Sequence, residues 1–135
     1  MKLTVEVFVK APLAEVWKAW TTPTDIVQWN AASADWHTTS ASVDLKVGGS
    51  FTSRMEARDG SMGFDFAGTY TKIIEQQLIE GSFGGRSFQV VFAEQPGGVV
   101  VTESFDAEDS HSIEQQQQGW QAILDNFARH VEKRG

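Results

Sequence analysis

The side chain best suited to chemistry in this sequence is the carboxyl of Glu103. It lies between Val101 and Phe105 in an alternating stretch, so a β-strand here would place it on the same buried face as those residues. A buried carboxyl has to be paired, protonated or in contact with a wet cavity, because an unpaired buried charge is strongly unfavourable. A raised pKa would suit Glu103 to acid or base chemistry. The alternative is that the strand frays or bulges and Glu103 reaches solvent.

Tyr70 and His37 are the other polar side chains that we place near a ligand. Tyr70 shares the phase of Phe64 and Phe66, which favours a structural hydroxyl near a rim over a catalytic acid. His37 follows Trp36 in a segment that we predict to be a loop, where a lone histidine is mostly solvated. A functional His37 would contact the ligand at the mouth of a cavity.

No group of residues predicts a metal site, a cofactor or a catalytic triad. His111 and His130 stand near the two ends of the last predicted helix, and we predict that both are on the surface. No two histidines have metal-ligand spacing, and the sequence contains no Gly-x-Ser-x-Gly elbow. We therefore assign no catalytic residue, predict no metal or cofactor, and favour a protein that is not an enzyme.

Composition limits the class of protein. The 135 residues are 41% hydrophobic and 21% charged, which is typical of one soluble globular domain. A net charge of −7 argues against nucleic acid or an anionic membrane as a partner. The sequence has no cysteine, which rules out disulfides and thiolate chemistry. The N-terminus is unlike a signal peptide and no apolar run reaches transmembrane length, so we predict a cytoplasmic protein without membrane insertion.

The longest predicted element is a helix over residues 112–134. Ser112 and Gln115 form a predicted capping box at its start. Gln116 and Gln117 lie on its apolar stripe, and we expect this end of the helix to overhang the sheet rather than to contact a ligand. The apolar residues of the stripe, at helical spacing, are Ile113, Trp120, Ile123, Leu124, Phe127 and Val131.

The rest of the chain predicts a sheet that covers this helix. Leu3 to Val9 alternate as a first strand, and two short helices follow, one opened by Pro12 and one capped by Thr22 with Pro23 in its first turn. Later runs of period two, separated by turn pairs, predict strands at about 39–47, 50–58, 62–75, 77–83, 87–94 and 99–106. The prediction is a single α+β domain over 1–135, in which a curved antiparallel sheet of six or seven strands wraps around the long helix.

Strand phase places many aromatic side chains between the sheet and the last helix. A packed core and a ligand cavity are the two interpretations of this pattern. The small residues Ser53, Gly68, Ser87 and Gly119 favour a gap. The predicted lining consists of Phe51, Met55, Phe64, Phe66, Tyr70, Phe88, Phe92, Glu103, Trp120, Leu124 and Phe127, with Trp36 and His37 at the mouth.

Six segments together resemble a known family. They are 11–21, Gln28-Trp29, 44–51 (Asp-Leu-Lys-Val-Gly-Gly-Ser-Phe), 68–73, 101–106 and 118–127, and they cover nearly the whole chain in the same order. The sequence is similar to the family named for activators of the heat-shock protein 90 ATPase, within the START/Bet v 1-like (SRPBCC) superfamily. The resemblance implies the helix-grip fold, with a hydrophobic cavity between helix and sheet. It transfers no catalytic residue.

Three functions are open at this point. The first, which we favour, is a binding module that holds a hydrophobic or amphipathic small molecule or lipid, with Glu103, Tyr70 and His37 as polar contacts. The second is an enzyme of polyketide cyclase or hydrolase type that uses Glu103 as acid or base. The third is a protein-interaction module, such as a chaperone partner or a homodimer, with Trp29 and Trp36 as exposed anchors.

Overall fold

The computed structural model describes residues 1–134, which form one antiparallel sheet and three helices. Helices α1 (Leu13–Thr21) and α2 (Pro23–Trp29) connect the first two strands, and α3 (Ile113–Arg134) follows the last. The strands are β1 (Lys2–Val9), β2 (Trp36–Val43), β3 (Ser50–Ala57), β4 (Gly63–Ile74), β5 (Leu78–Phe83), β6 (Arg86–Gln95) and β7 (Gly98–Asp106). They lie in the order β1-β7-β6-β5-β4-β3-β2, so the predicted α+β architecture with a curved sheet around α3 is confirmed. None of the described helices is long and apolar enough to span a membrane.

Five of the predicted strands, β3 to β7, begin and end within one residue of their predicted bounds. The prediction for β2 is wrong at both ends, because this strand runs over Trp36–Val43 and not over residues 39–47. Trp36 and His37 are therefore strand residues, paired with Ala57 and Glu56 of β3. A register shift between Thr38 and Ser40 breaks the alternation that would have revealed the start of the strand.

A residue with a positive φ angle lies in each turn between successive strands from β2 to β7. Gly60 and Gly97 have positive φ angles of 80° and 86°, a conformation that glycine adopts without steric cost. The turn between β4 and β5 contains Gln76, which has a φ of 62° without being glycine. A side chain in this left-handed region carries a small strain, which the paired strands on both sides hold in place.

The core lies between the sheet and the apolar faces of the helices. Val101 and Phe105 of β7 have no exposed surface, nor do Leu124 and Phe127 of α3. Ile113 departs from the predicted stripe, since it is 39% exposed at the first turn of α3. The predicted capping box at Ser112 is confirmed, because the Gln115 amide N–H donates to Ser112 Oγ at 3.0 Å. Thr22 is at the N-cap position of α2, but its side chain makes no capping hydrogen bond.

Glutamines on α3 bind the edge of the sheet. Gln117 Nε2 donates to the Thr4 carbonyl of edge strand β1 at 3.2 Å, and Gln121 Nε2 donates to the Glu6 carbonyl at 3.0 Å. Gln116 is buried and accepts from the Glu108 amide at 2.8 Å. The expectation that this end of α3 overhangs the sheet is wrong for Gln117, which binds β1, whereas Gln116 bonds to the connection ahead of the helix. Neither glutamine lines the cavity described below.

A buried polar contact between side chains joins α3 to α2. His130 Nε2 lies 2.9 Å from Asp25 Oδ1, and the two side chains are only 12% and 6% exposed. The surface prediction for His130 is therefore wrong, because α2 packs over this end of α3. His111 is exposed, as predicted, and contacts the Glu108 carboxylate.

Candidate ligand-binding cavity

A cavity of about 410 Å³ lies between α3 and the sheet. Small-molecule sites in proteins occupy roughly 300–1,000 Å³, so this space is large enough for a ligand. All three helices and six of the strands contribute to its walls, which are mostly apolar. The lining residues from the helices and the segment between α2 and β2 are Trp20, Ile26, Trp29, Asn30, Ala32, Gly119, Trp120 and Ile123. Those from the strands are Trp36, Ser42, Val43, Phe51, Ser53, Met55, Phe64, Phe66, Tyr70, Ile79, Phe88 and Glu103.

Most of the side chains predicted to line the cavity do so. They are Trp36, Phe51, Met55, Phe64, Phe66, Tyr70, Phe88, Glu103 and Trp120. This prediction was based on the alternation of side chains along β3, β4 and β7. In the structure, alternate side chains of these strands face the cavity or the core, as that pattern predicts.

Phe92, Leu124 and Phe127 belong to the packed core instead of the cavity. The Phe92 ring lies 5.1 Å from Trp17, and the Phe127 ring lies 4.9 Å from both Trp20 and Trp29. The tryptophans of α1 and α2 therefore fill this end of the space between helix and sheet. The sequence pattern did not place Trp20 and Trp29 at the cavity, although both line it.

His37 does not line the cavity, because it follows Trp36 on a strand and so points to the other face of the sheet. Trp36 lines the mouth, where its ring centroid is 5.8 Å from that of Phe64. Phe64 is 48% exposed, which marks the open side of the cavity. Trp29 is only 6% exposed, so the prediction that it serves as an exposed anchor for a protein partner is wrong.

Only two of the four small residues predicted to open the gap line it, namely Ser53 and Gly119. The Phe51 ring covers Gly68 so closely that a Cβ there would lie 2.6 Å from Phe51 Cζ. Ser87 lies on the opposite face, where its hydroxyl donates to Asp106 Oδ2 at 2.9 Å. Gly119 is different, because a Cβ there would meet no heavy atom within 4 Å.

Glu103 is the acidic side chain of the cavity and is 7% exposed. Its neighbours across the ladder are Val5 of β1 and Val90 of β6, so β7 is paired on both sides and the predicted alternative of a frayed strand is wrong. Among the described residues, none forms a hydrogen bond or an ion pair with the carboxyl. Burial raises the pKa of Glu103 to about 8, so the carboxyl is neutral at pH 7.

Tyr70 supplies a second polar group to the cavity and is 7% exposed. Burial, and secondarily the charge of Asp44, raise the pKa of Tyr70 to about 12. The phenol therefore stays neutral and can donate one hydrogen bond. Glu103 and Tyr70 are on strands separated by β5 and β6, which puts them on different walls of the cavity.

The lining contains no lysine, arginine or histidine. Within residues 1–134, no three His, Asp or Glu side chains are grouped so that they could hold a metal ion. The chemistry available to a ligand is therefore aromatic contact, a few neutral hydrogen-bonding groups and one carboxyl.

Comparison with known proteins agrees with this architecture. The model of the family described as Activator of Hsp90 ATPase homolog 1-like protein matches residues 10–132. The chain belongs to this family. The match covers both short helices, all strands after β1 and nearly all of α3, so it includes every residue that lines the cavity. No curated protein matches the chain in sequence.

Solved structures of similar length share the whole fold. The solution structure of the AHSA1-like protein from Aeromonas hydrophila is 51% identical, with a TM-score of 0.94, over 100% of this chain and 94% of that one. A solution structure from Cytophaga hutchinsonii is 46% identical, with a TM-score of 0.84, over 98% and 93% of the two chains. A crystal structure from Nitrosomonas europaea has a TM-score of 0.87 over 100% and 96%, but at 15% identity this likeness shows the fold alone.

Proposed function

We propose that this member of the Activator of Hsp90 ATPase homolog 1-like family binds a hydrophobic or amphipathic small molecule between α3 and the sheet. The observation that carries the proposal is the cavity of about 410 Å³, with aromatic walls and few polar groups. An apolar concavity with a small number of oriented polar groups is the usual form of a small-molecule site.

The aromatic walls of the cavity favour binding of an apolar molecule. Aromatic rings that face a space lose dispersion contacts on that side, which a ligand would restore. Each Å² of apolar ligand surface removed from water contributes about 25 cal/mol. The mouth at Phe64 and Trp36 offers a route for entry, since Phe64 is half exposed and Trp36 partly so.

Native mass spectrometry of freshly purified protein tests the proposal directly, because a co-purified molecule adds its mass to the folded chain. A thermal-shift panel of lipids, flavonoids and polyketides complements it, since a ligand that binds the folded state raises the Tm. Absence of a bound mass together with no shift from any compound would contradict the proposal.

A variant that fills the cavity ties binding to this site. Gly119 lines the cavity one turn before Ile123, and a side chain added there has free space. We expect Gly119→Phe to abolish ligand binding and Gly119→Ala to preserve it. Both variants should melt no lower than wild type, because glycine inside a helix costs about 1 kcal/mol relative to alanine. Undiminished binding by Gly119→Phe would place the ligand elsewhere.

A further inference from the structure

The carboxyl of Glu103 faces the cavity without a partner in the described chain. Glu103 is only 7% exposed, and its ladder neighbours Val5 and Val90 have apolar side chains that cannot form a hydrogen bond with it. An unpartnered carboxyl at such a position lowers the stability of the fold, where an aliphatic side chain would raise it. The presence of a carboxyl at this position is explained if a bound ligand supplies the group that pairs with it.

The composition of the lining limits what that partner is. A ligand carboxylate or phosphate would add a second acid to a cavity whose lining has no cationic side chain. A neutral oxygen would gain one ordinary hydrogen bond from the protonated acid. An ammonium group would gain a charge-assisted hydrogen bond, which is about twice as strong as a neutral one.

Two further features favour a cation. The faces of Trp, Tyr and Phe rings attract cations, and rings from both α3 and the sheet line this cavity. The chain as a whole has a net charge of −7, which draws cations towards the protein and repels anions.

We infer that the ligand is a hydrophobic amine, whose ammonium group forms an ion pair with Glu103 while its apolar body lies among the aromatic rings. This inference rests on the proposed function and adds to it the charge of the ligand.

The affinity for the amine should depend on pH, because the ion pair forms only after the Glu103 carboxyl has lost its proton. Burial raises the pKa of Glu103 to about 8 in the empty cavity, so the acid carries its proton at lower pH. An amine that enters as its ammonium ion then displaces that proton to solvent, and its affinity falls about tenfold for each pH unit below 8. Tyr70, the other titratable lining group, stays neutral because its pKa is about 12. The α3 residues that line the cavity, Gly119, Trp120 and Ile123, carry no charge.

Three probes with one aromatic body and different head groups test the inference: naphthylethylamine, naphthylethanol and naphthylpropionate. Isothermal titration calorimetry with wild-type protein should show the amine binding at least tenfold more tightly than the alcohol at about pH 8, with the carboxylate weakest. At about pH 6 the affinity for the amine should drop by on the order of a hundredfold, whereas that for the alcohol should not.

Glu103→Gln keeps the size of the side chain and removes its charge. This variant should lose the preference for the amine and its pH dependence, while it still binds the alcohol, which also shows that it is folded. Tyr70→Phe is the matched control in the same cavity and should keep the preference for the amine. Equal or tighter binding of the alcohol or the carboxylate by wild type overturns the inference and leaves the proposed function in place. Failure of all three probes to bind contradicts both.

Discussion

Phe105 of β7 stacks flat on Trp120 of α3, with ring centroids 3.8 Å apart and ring planes inclined by 8°. Phe105 has no exposed surface, and Trp120 lines the cavity. Glu103 precedes Phe105 by two residues on the same face of β7. The stack therefore fixes the separation of helix and sheet beside Glu103 and holds the Trp120 ring against the wall.

Trp120→Ala should destabilise the fold by about 3 kcal/mol, because it removes the stack and leaves a cavity that the helix cannot close. The ring also contacts Phe83, at a centroid distance of 5.9 Å. Urea unfolding measures the loss. Ile113→Ala is the control on the same helix, since Ile113 is 39% exposed, and should change stability by less than about 0.5 kcal/mol. Equal losses in the two variants would show that the stack contributes nothing.

The parts of the fold that follow from local patterns were predictable from the sequence. Turns that contain glycine separate most of the strands from β2 to β7, the turn at Gln76 being the exception, and the two-residue period between the turns sets which side chains share a face. That period alone predicts that Glu103, Phe66 and Tyr70 face the cavity. These signals lie within a few residues of each other along the chain, so they need no knowledge of tertiary packing.

The parts that depend on distant contacts were not predictable. His130 pairs with Asp25 and Gln121 with the Glu6 carbonyl, across separations of 105 and 115 residues. No local pattern encodes either pair. The division of the aromatic residues between core and cavity depends on how α1 and α2 pack, which is why Phe127 was assigned to the lining and Trp29 was not. The unpartnered state of Glu103 likewise becomes visible only when all its neighbours are known.

The stability of the protein should fall as pH rises towards 8. Folding raises the pKa of Glu103 from 4.5 to about 8, so between these values the folded state holds a proton that the unfolded state has released. The free energy of unfolding contributed by this group therefore decreases by up to roughly 5 kcal/mol from pH 4.5 to 8 and is constant above that range.

Urea unfolding of wild type and Glu103→Gln in the same buffers isolates this contribution, because the other titrating groups are common to both proteins. The stability of Glu103→Gln relative to wild type should rise steadily over that interval. A pH-independent difference between the two would mean that Glu103 is not buried as an acid.

The glutamines of α3 should stabilise the edge of the sheet. Gln117 and Gln121 donate to the carbonyls of Thr4 and Glu6 on edge strand β1, and each such hydrogen bond contributes about 1 kcal/mol. We expect the double variant Gln117→Ala/Gln121→Ala to lose about 2 kcal/mol and to self-associate more readily, because a free strand edge can pair with another chain. Gln118→Ala is the control, since the side-chain amide of Gln118 donates to Glu114 on the same helix and not to the sheet in the part of the chain that the structure describes. Urea unfolding and size-exclusion chromatography measure the two effects, and a double variant that behaves like the control would contradict them.

The buried pair of His130 and Asp25 should couple the position of α2 to ligand binding. Asp25 and the cavity residues Ile26 and Trp29 are on the same short helix, and the imidazole of α3 is 2.9 Å from the Asp25 carboxylate. His130→Leu removes that partner from the Asp25 side chain, which is 6% exposed, and should lower the free energy of unfolding by about 2 kcal/mol. Asp25 has a further interaction, which limits this loss.

We also expect His130→Leu to speed amide exchange across α2 and to weaken binding of the cavity ligand. His111→Leu is the matched control, because the His111 side chain is 62% exposed beside Glu108 and its loss should have no measurable effect on stability or binding. If the two variants unfold at the same urea concentration, the buried pair does not anchor α2.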